Sequence, residues 1–542
     1  MRVYDLVLLH APALFDFRDR ILGPISDVVP SYPIFDMYPI GFLSLATYLI
    51  GRGFKVRIAN IAAKLVMKNI NVRKYVKGLK ARIYGIDLHW LIHVNGALEL
   101  AKIIKELHPS STVVIGGLSA TYFVREILEK EYVDYVVLGD TGEHAIEMLL
   151  EGKKLEEIPN LAWKSKSSIR IGKKLTAPQN LDKYRVDTAL LVRSAIRSAD
   201  PFSWFPYANF TSNPIGAVLP YKGCWMNCIT CGGSQYAYSR CFFRKTIGLK
   251  SPETVFEEIK SITEYLKIPI FIINDLQVLG IKWVNELVKY IKDENINTTF
   301  LLEFFKPPSF DLLSELRKLG ENVIVQISPE THDEGIRKRF GRDFSNNELE
   351  NFIKKVTKLK FERLDLYFMI GLPGQDIKSS ILTVKYIDTL FSKYNASRLN
   401  AFIAPLAPLL DPGSKAFEEP EKYGYKLLAR TLDEHRLLIK KARRWVDLLN
   451  YETKWLKRED IAEAFYLSSK ELIKVKFKHD LVNEEEYRSL VRRIEAGRKY
   501  VREGVLEKET TDIRDLYPST PLISSLKPLK LALHLPLILM GK

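Results

Sequence analysis

The sequence predicts an α/β protein in three parts: a doubly wound, Rossmann-like parallel sheet, a partial (β/α)6 barrel, and a mainly helical C-terminal region. Three observations carry that expectation. Strand and helix patterns alternate over residues 1–150 and again from about residue 215, the βαβ rhythm of parallel sheets. Residues 151–212 between them lose that rhythm. From about Glu418 apolar residues recur at three- to four-residue spacing, which reads as helix. A chain of 542 residues is too long for one core, and roughly 150 residues per domain gives about three. The expected boundaries are 1–150, a connector over 151–212, a barrel over 213–415, and a helical region with tail over 416–542.

In the first part, strands are expected over 4–9, 55–59, 82–86, 112–115 and 134–138, with helices over 38–49 and 96–108. A parallel doubly wound sheet binds its ligand at the carboxyl ends of its strands. Those ends carry Asp87-Leu88-His89, Gly116-Gly117-Leu118-Ser119 and Gly139-Asp140-Thr141-Gly142-Glu143. Glycine there lets backbone approach a ligand closely, and the same residues also suit ordinary turns. The connector mixes Lys, Ser, Pro and Asp. Its aromatic run from Phe202 to Phe210 reads as interdomain packing, with a cover over the barrel mouth as the alternative.

In the central part, strands are expected over 215–220, 268–273, 298–302, 322–327, 364–370 and 398–404. Their ends carry Asn274 and Asp275, then Glu303, then Ser328 and Glu330, then Gly371-Leu372-Pro373-Gly374. Such a barrel reacts at the carboxyl face of its strands. After the first strand comes Tyr221-Lys222-Gly223-Cys224-Trp225-Met226-Asn227-Cys228-Ile229-Thr230-Cys231, which holds three of the four cysteines of the chain. The spacing C-x3-C-x2-C in a tight loop suits an iron–sulfur cluster held by thiolates. A structural zinc site needs four ligands, and only Cys241 stands near enough in sequence to complete one.

That loop, on a strand-to-helix connection, resembles the signature of radical S-adenosylmethionine (SAM) enzymes. The resemblance implies that Cys224, Cys228 and Cys231 ligate a [4Fe–4S] cluster whose fourth iron is chelated by SAM. One electron then cleaves SAM to methionine and a 5′-deoxyadenosyl radical. It also implies that Asn274 and Asp275 meet the methionine amine, Ser328 and Glu330 the ribose, and Gly371, Pro373 and Gly374 the adenine and methionine, with Glu303 touching SAM or substrate. Ile229 departs from the aromatic residue usual at that place. Read with this loop, the first part resembles the cobalamin (B12)-binding domain of one large radical SAM subgroup. Asp87, His89, Gly116, Gly117, Ser119, Gly139, Gly142 and Glu143 then become cofactor-binding candidates. His89 and His93 each depart from the D-x-H-x-x-G pattern of a cobalt-ligating histidine, so cobalamin is expected base-off.

The resemblance implies a methyltransferase acting on an unactivated centre. The alternatives are a cyclase or rearrangement enzyme with the same cofactors, an RNA-modifying enzyme, and a non-catalytic cobalamin or redox sensor. No side chain is assigned as a general acid or base. A small-molecule substrate and a reductase, ferredoxin or flavodoxin as electron donor are expected. The net charge is +16, yet Lys and Arg are spread evenly, so a nucleic-acid partner is not favoured. Cysteine usage fits a reducing, cytoplasmic setting. The apolar run over 531–540 is too short to span a bilayer and reads as a docking tail. Helices are expected over 425–439, 459–476 and 484–503, with Trp445, Tyr451 and Trp455 as packing residues.

Overall fold

Two parallel sheets set the architecture. The computed structural model describes residues 3–17, 35–68, 70–166, 168–172, 175, 177–200, 203–211 and 213–504. The tail over 531–540 and Phe202 lie outside them. In the first sheet run β1 (Val3–His10), β2 (Val56–Asn60), β3 (Lys80–Asp87), β4 (Thr112–Gly116), β5 (Tyr135–Val137), β6 (Leu161–Ser165) and β7 (Ser168–Ile171). The spatial order is β2-β1-β3-β4-β5-β6-β7, with the first five strands parallel. Buried Val, Ile and Leu fill both faces of β1, β3 and β4, as a sheet covered on both sides requires. The direction of winding changes between β1 and β3, which places a crevice at His10 and Asp87.

The connector supplies more than a linker. β6 and β7 join the first sheet antiparallel, and the helix Thr188–Arg197 starts on Asp187, whose side chain accepts from Leu190 N–H. The edge strand β7 is largely exposed, so no apolar alternation marked it in the sequence. The aromatic run does pack, but not over the barrel. Trp204, Phe205, Tyr207 and Phe210 are buried, and Asn60 Nδ2 at the end of β2 donates to Pro206 O at 3.1 Å. The run covers the first sheet instead.

The second sheet holds β8 (Gly216–Val218), β11 (Ile270–Ile272), β12 (Phe300–Phe304), β13 (Val323–Glu330), β14 (Arg363–Ile370) and β15 (Leu399–Pro405), all parallel in sequential order. Its two ends do not pair, so the barrel is partial, as the six βα units predict. A two-stranded ribbon, β9 (Tyr221–Lys222) with β10 (Gly248–Leu249), brackets the cysteine loop.

The C-terminal region is helical over Leu432–Lys441, Arg458–Lys478 and Glu484–Glu503. The start of the helix expected over 425–439 is instead β16 (Tyr425–Leu427), paired with β17 (Tyr451–Thr453). A capping box at Thr431 and Glu434 starts the helix only afterwards, because that pair satisfies the first free N–H groups there. Trp445 and Tyr451 are buried as expected, whereas Trp455 is 47% exposed. Among the described residues no helix is long and apolar enough to cross a membrane.

His435 ties this region together. Its Nδ1 donates to Thr431 O at 2.7 Å, and its Nε2 accepts from Asn450 Nδ2 at 3.0 Å. Only the neutral ring satisfies both contacts. Burial lowers its pKa to about 4, although the Thr431 carbonyl opposes the shift. The unfolded chain takes up this proton near pH 6.5, so stability is full above that value and falls as pH drops towards about 4. The loss amounts to about 3 kcal/mol. Melting curves from pH 7 to pH 4 should show a steeper decline for the native chain than for His435→Gln.

Candidate functional site

The cysteine loop is built by turns and clamped from outside. Gly223 turns the chain with φ +97°, and Ser234 caps the helix Gln235–Cys241. Backbone N–H groups point at sulfur: Met226 N lies 3.3 Å from Cys224 Sγ, and Gly233 N lies 3.3 Å from Cys231 Sγ. Such bonds tune thiolates that hold an iron–sulfur cluster. Burial raises all three thiol pKa values, that of Cys228 to about 11. No disulfide ties these cysteines. Three thiols in one tight loop are the donor set that an iron–sulfur cluster takes.

A residue that the sequence reading missed completes the surroundings. The helix Glu334–Phe340 stops at Gly341, φ +111°. A Cβ on Gly341 would stand 2.8 Å from Asn227 O, so the glycine lets this turn press against the cysteine loop. Ile229 N–H donates to Phe340 O at 2.9 Å. The next residue, Arg342, is nearly buried; burial opposes its charge, and the thiols of Cys228, Cys224 and Cys231 with Glu330 outweigh it. Arg342 Nη1 donates to Phe305 O at 2.9 Å, and Nε stands 3.4 Å from Glu330 Oε1. Glycine ending a helix is a readable stop signal, but nothing in the sequence says that the following arginine faces cysteine.

The strand ends of the barrel divide into free and committed groups. Asp275 is fully buried and accepts from Gln277 N–H, Gln277 Nε2 and Phe305 N–H at 3.0, 2.9 and 2.8 Å. It braces its own loop. Asn274 sits at φ +76°, donates its N–H to Glu303 Oε1, and donates Nδ2 to Tyr221 O at 3.1 Å. Glu303 Oε2 has only Gln326 Nε2 at 3.4 Å, and burial raises its pKa. Burial lifts Glu330 to about 7 despite Arg342; this residue sits at φ +66° where β13 shifts register. Ser328 is half-buried beside it. Gly371 lies against Tyr451, Pro373 against Gly424, and Gly374 against Arg339. Gln375 Oε1 accepts from the N–H groups of Gly371 and Leu372 at 3.0 Å. That loop is braced by the protein itself.

At the first sheet most of the candidates also serve the fold. Ser119 Oγ donates to His89 O at 2.9 Å, and Gly117, φ +117°, lies against the His89 backbone. Gly116 and Gly142 pack on Val137, and Gly139 on Asn160 and Phe243. Ser44 Oγ donates to Glu143 Oε1 at 2.6 Å. The glycines thus admit neighbouring protein rather than a gap. At the crevice, His10 Nδ1 donates to Asp87 Oδ1 at 2.9 Å and Nε2 to Phe35 O at 3.1 Å. Burial works against the His10 charge, and Asp87 outweighs it. Among the described residues, Asp87 Oδ2 and His93 Nε2 are buried with no hydrogen-bond partner. Unmet donors and acceptors at this place fit the amide-fringed corrin of a cobalamin.

Comparison with known proteins decides between the resemblances. The B12 binding domain model matches residues 31–150, and the Radical SAM superfamily model matches residues 218–387. The chain carries a B12-binding domain and a radical SAM domain. It is a radical SAM enzyme, and its cofactors are a [4Fe–4S] cluster, SAM and cobalamin. An uncharacterized methyltransferase of Pyrococcus horikoshii is 24% identical over 66% of this chain and 74% of its own. The hopanoid C-3 methylase of Methylococcus capsulatus is 22% identical over 49% of this chain; the match spans about half of that relative, 47%. Among solved structures, the radical SAM methyltransferase TsrM of Kitasatospora setae, with cobalamin and a [4Fe–4S] cluster bound, superposes with a TM-score of 0.60. It is 13% identical over 92% of this chain and 99% of its own. OxsB, a cobalamin-dependent SAM radical enzyme, gives 0.56 at 12% identity over 92% and 72%. At these identities the structural likeness is one of fold.

Proposed function

We propose that this enzyme transfers a methyl group from SAM, by way of cobalamin, to an unactivated centre of a small molecule. The observation that carries the reading is the direct contact between the three-thiolate loop and the carboxyl end of the first sheet, the end at which doubly wound sheets bind their ligand. Lys222, two residues before Cys224, donates to Asp140 O at 2.7 Å in the loop after β5. When bound, the cluster supplies an electron for SAM cleavage and the corrinoid supplies a cobalt that carries a methyl group. The protein aligns these groups and excludes water.

Its own residues take the following parts. Cys224, Cys228 and Cys231 hold the cluster. Arg342, paired with Glu330, offers its guanidinium to the SAM carboxylate, and Glu303 offers Oε2, held by one long contact from Gln326 Nε2, to the amine. Asn274 holds Glu303 in place. Ser328 and Glu330 are set for the ribose. Asp87 offers its unpartnered oxygen to an amide of the corrin. Neither His89 nor His93 fits the D-x-H-x-x-G pattern of a cobalt-ligating histidine, so these residues would hold cobalamin base-off. The electron donor is a reductase, ferredoxin or flavodoxin, and a cytoplasmic setting suits the free thiols.

The test is anaerobic turnover with SAM carrying a deuterated methyl group. Transfer of the label to a small-molecule acceptor supports the reading. A product that forms without label, by cyclisation or rearrangement, overturns it.

A further inference from the structure

The acid in the loop after β5 faces neither crevice nor solvent. The Asp140 side chain is 5% exposed, and both of its oxygens meet Arg244, Oδ2 at Nε and Oδ1 at Nη2, 3.0 Å. Arg244 is 1% exposed and spends Nη1 on Pro178 O at 2.9 Å. Burial would raise the Asp140 pKa, yet Arg244 and Lys222 hold it below the usual carboxylate range. Lys222 Nζ takes the Asp140 carbonyl at 2.7 Å and reaches Thr141 Oγ1 at 3.4 Å. One loop of the first sheet thus grips both flanks of the cysteine loop. Lys222 belongs to β9 just before Gly223 and Cys224. Arg244 follows the helix Gln235–Cys241, and its Cδ lies 2.9 Å from where a Cβ on Gly223 would stand.

A buried ion pair contributes little net stability compared with well-packed apolar residues, because desolvation offsets the attraction. What a two-pronged pair does confer is geometry, since the guanidinium fork accepts a carboxylate in one plane and orientation. This pair spans the junction between the two cofactor sites. The methyl carrier and the cluster must lie at a fixed separation for both to serve one substrate.

We propose that Asp140 and Arg244, assisted by Lys222, are positioning residues that fix the corrinoid crevice relative to the cysteine loop. The proposal rests on the cofactor assignment above. The experiment uses the full chain loaded with cluster and cobalamin, in native form and as Asp140→Asn, Arg244→Met and Arg244→Lys. Pulsed electron paramagnetic resonance reads the distance between cob(II)alamin and the reduced cluster. The native chain should give one narrow distribution. Asp140→Asn and Arg244→Met should broaden or shift it with iron and corrinoid per chain unchanged, and Arg244→Lys should restore part of it. The same narrow distribution in all four proteins overturns the proposal.

Calorimetry of the cofactor-free full chain gives a second reading if a variant fails to load. One transition in the native chain that splits into two in Arg244→Met supports the clamp, and a single unsplit transition in both contradicts it. A native chain that takes up no corrinoid, yet whose single transition splits in the variant, would sink the cofactor assignment and leave the clamp standing.

Discussion

Cys224→Ala should lose the iron–sulfur cluster and, with it, SAM cleavage, while Cys241→Ala keeps both. The three loop cysteines act as a unit, and removing one member of such a set costs roughly a thousandfold or more in rate. The loop itself should survive the change. Its shape is fixed by the Ser234 cap, the Ile229 N–H bond to Phe340 O and the bond from Gly232 N–H to Asp411 Oδ2 at 3.0 Å. Cys241 is the internal control. It stands ten residues past Cys231, outside the C-x3-C-x2-C loop, and lies beside Gly413. Iron, sulfide and 5′-deoxyadenosine would be measured in both variants. Full SAM cleavage by Cys224→Ala, or equal losses in the two, contradicts the ligand assignment.

Arg342→Met should produce the second largest effect, and on two readouts. The side chain balances the buried carboxyl of Glu330, and its charge is favoured by the cysteines of the loop. Taking away one partner of a buried pair costs about 3 kcal/mol, at the low end for such pairs because the contact is 3.4 Å. SAM affinity should fall as well. A hydrogen bond to a charged group contributes about 1.5–3 kcal/mol, hence roughly 10- to 100-fold in Kd. Arg342→Lys keeps the charge but not the fork, so it should recover most of the stability and only part of the affinity. Thermal melts and calorimetric titration with SAM separate the two. Unchanged SAM affinity in Arg342→Met would remove this residue from the SAM site.

The parallel strands of both sheets were readable because most are rich in buried Val, Ile, Leu and Phe. The cysteine triplet was readable because its spacing alone restricts the chemistry. Other features depend on contacts far apart in sequence. Asp275 looked like a ligand group, and only the fold shows its oxygens taken by Gln277 and Phe305. Gly117 and Gly139 read as openings for a cofactor, whereas tertiary packing fills the space beside them. Arg342 and Arg244 sat unnoticed among 81 Lys and Arg residues. Their importance comes from burial, which composition does not reveal. β7 and β16 were missed because short, partly exposed strands lack the alternation that announces a buried one.

The most direct measurement is the metal, sulfide and corrinoid content of protein reconstituted without oxygen. The account predicts about four irons and four sulfides per chain, together with one corrinoid. Zinc in place of iron, or iron without acid-labile sulfide, would contradict it.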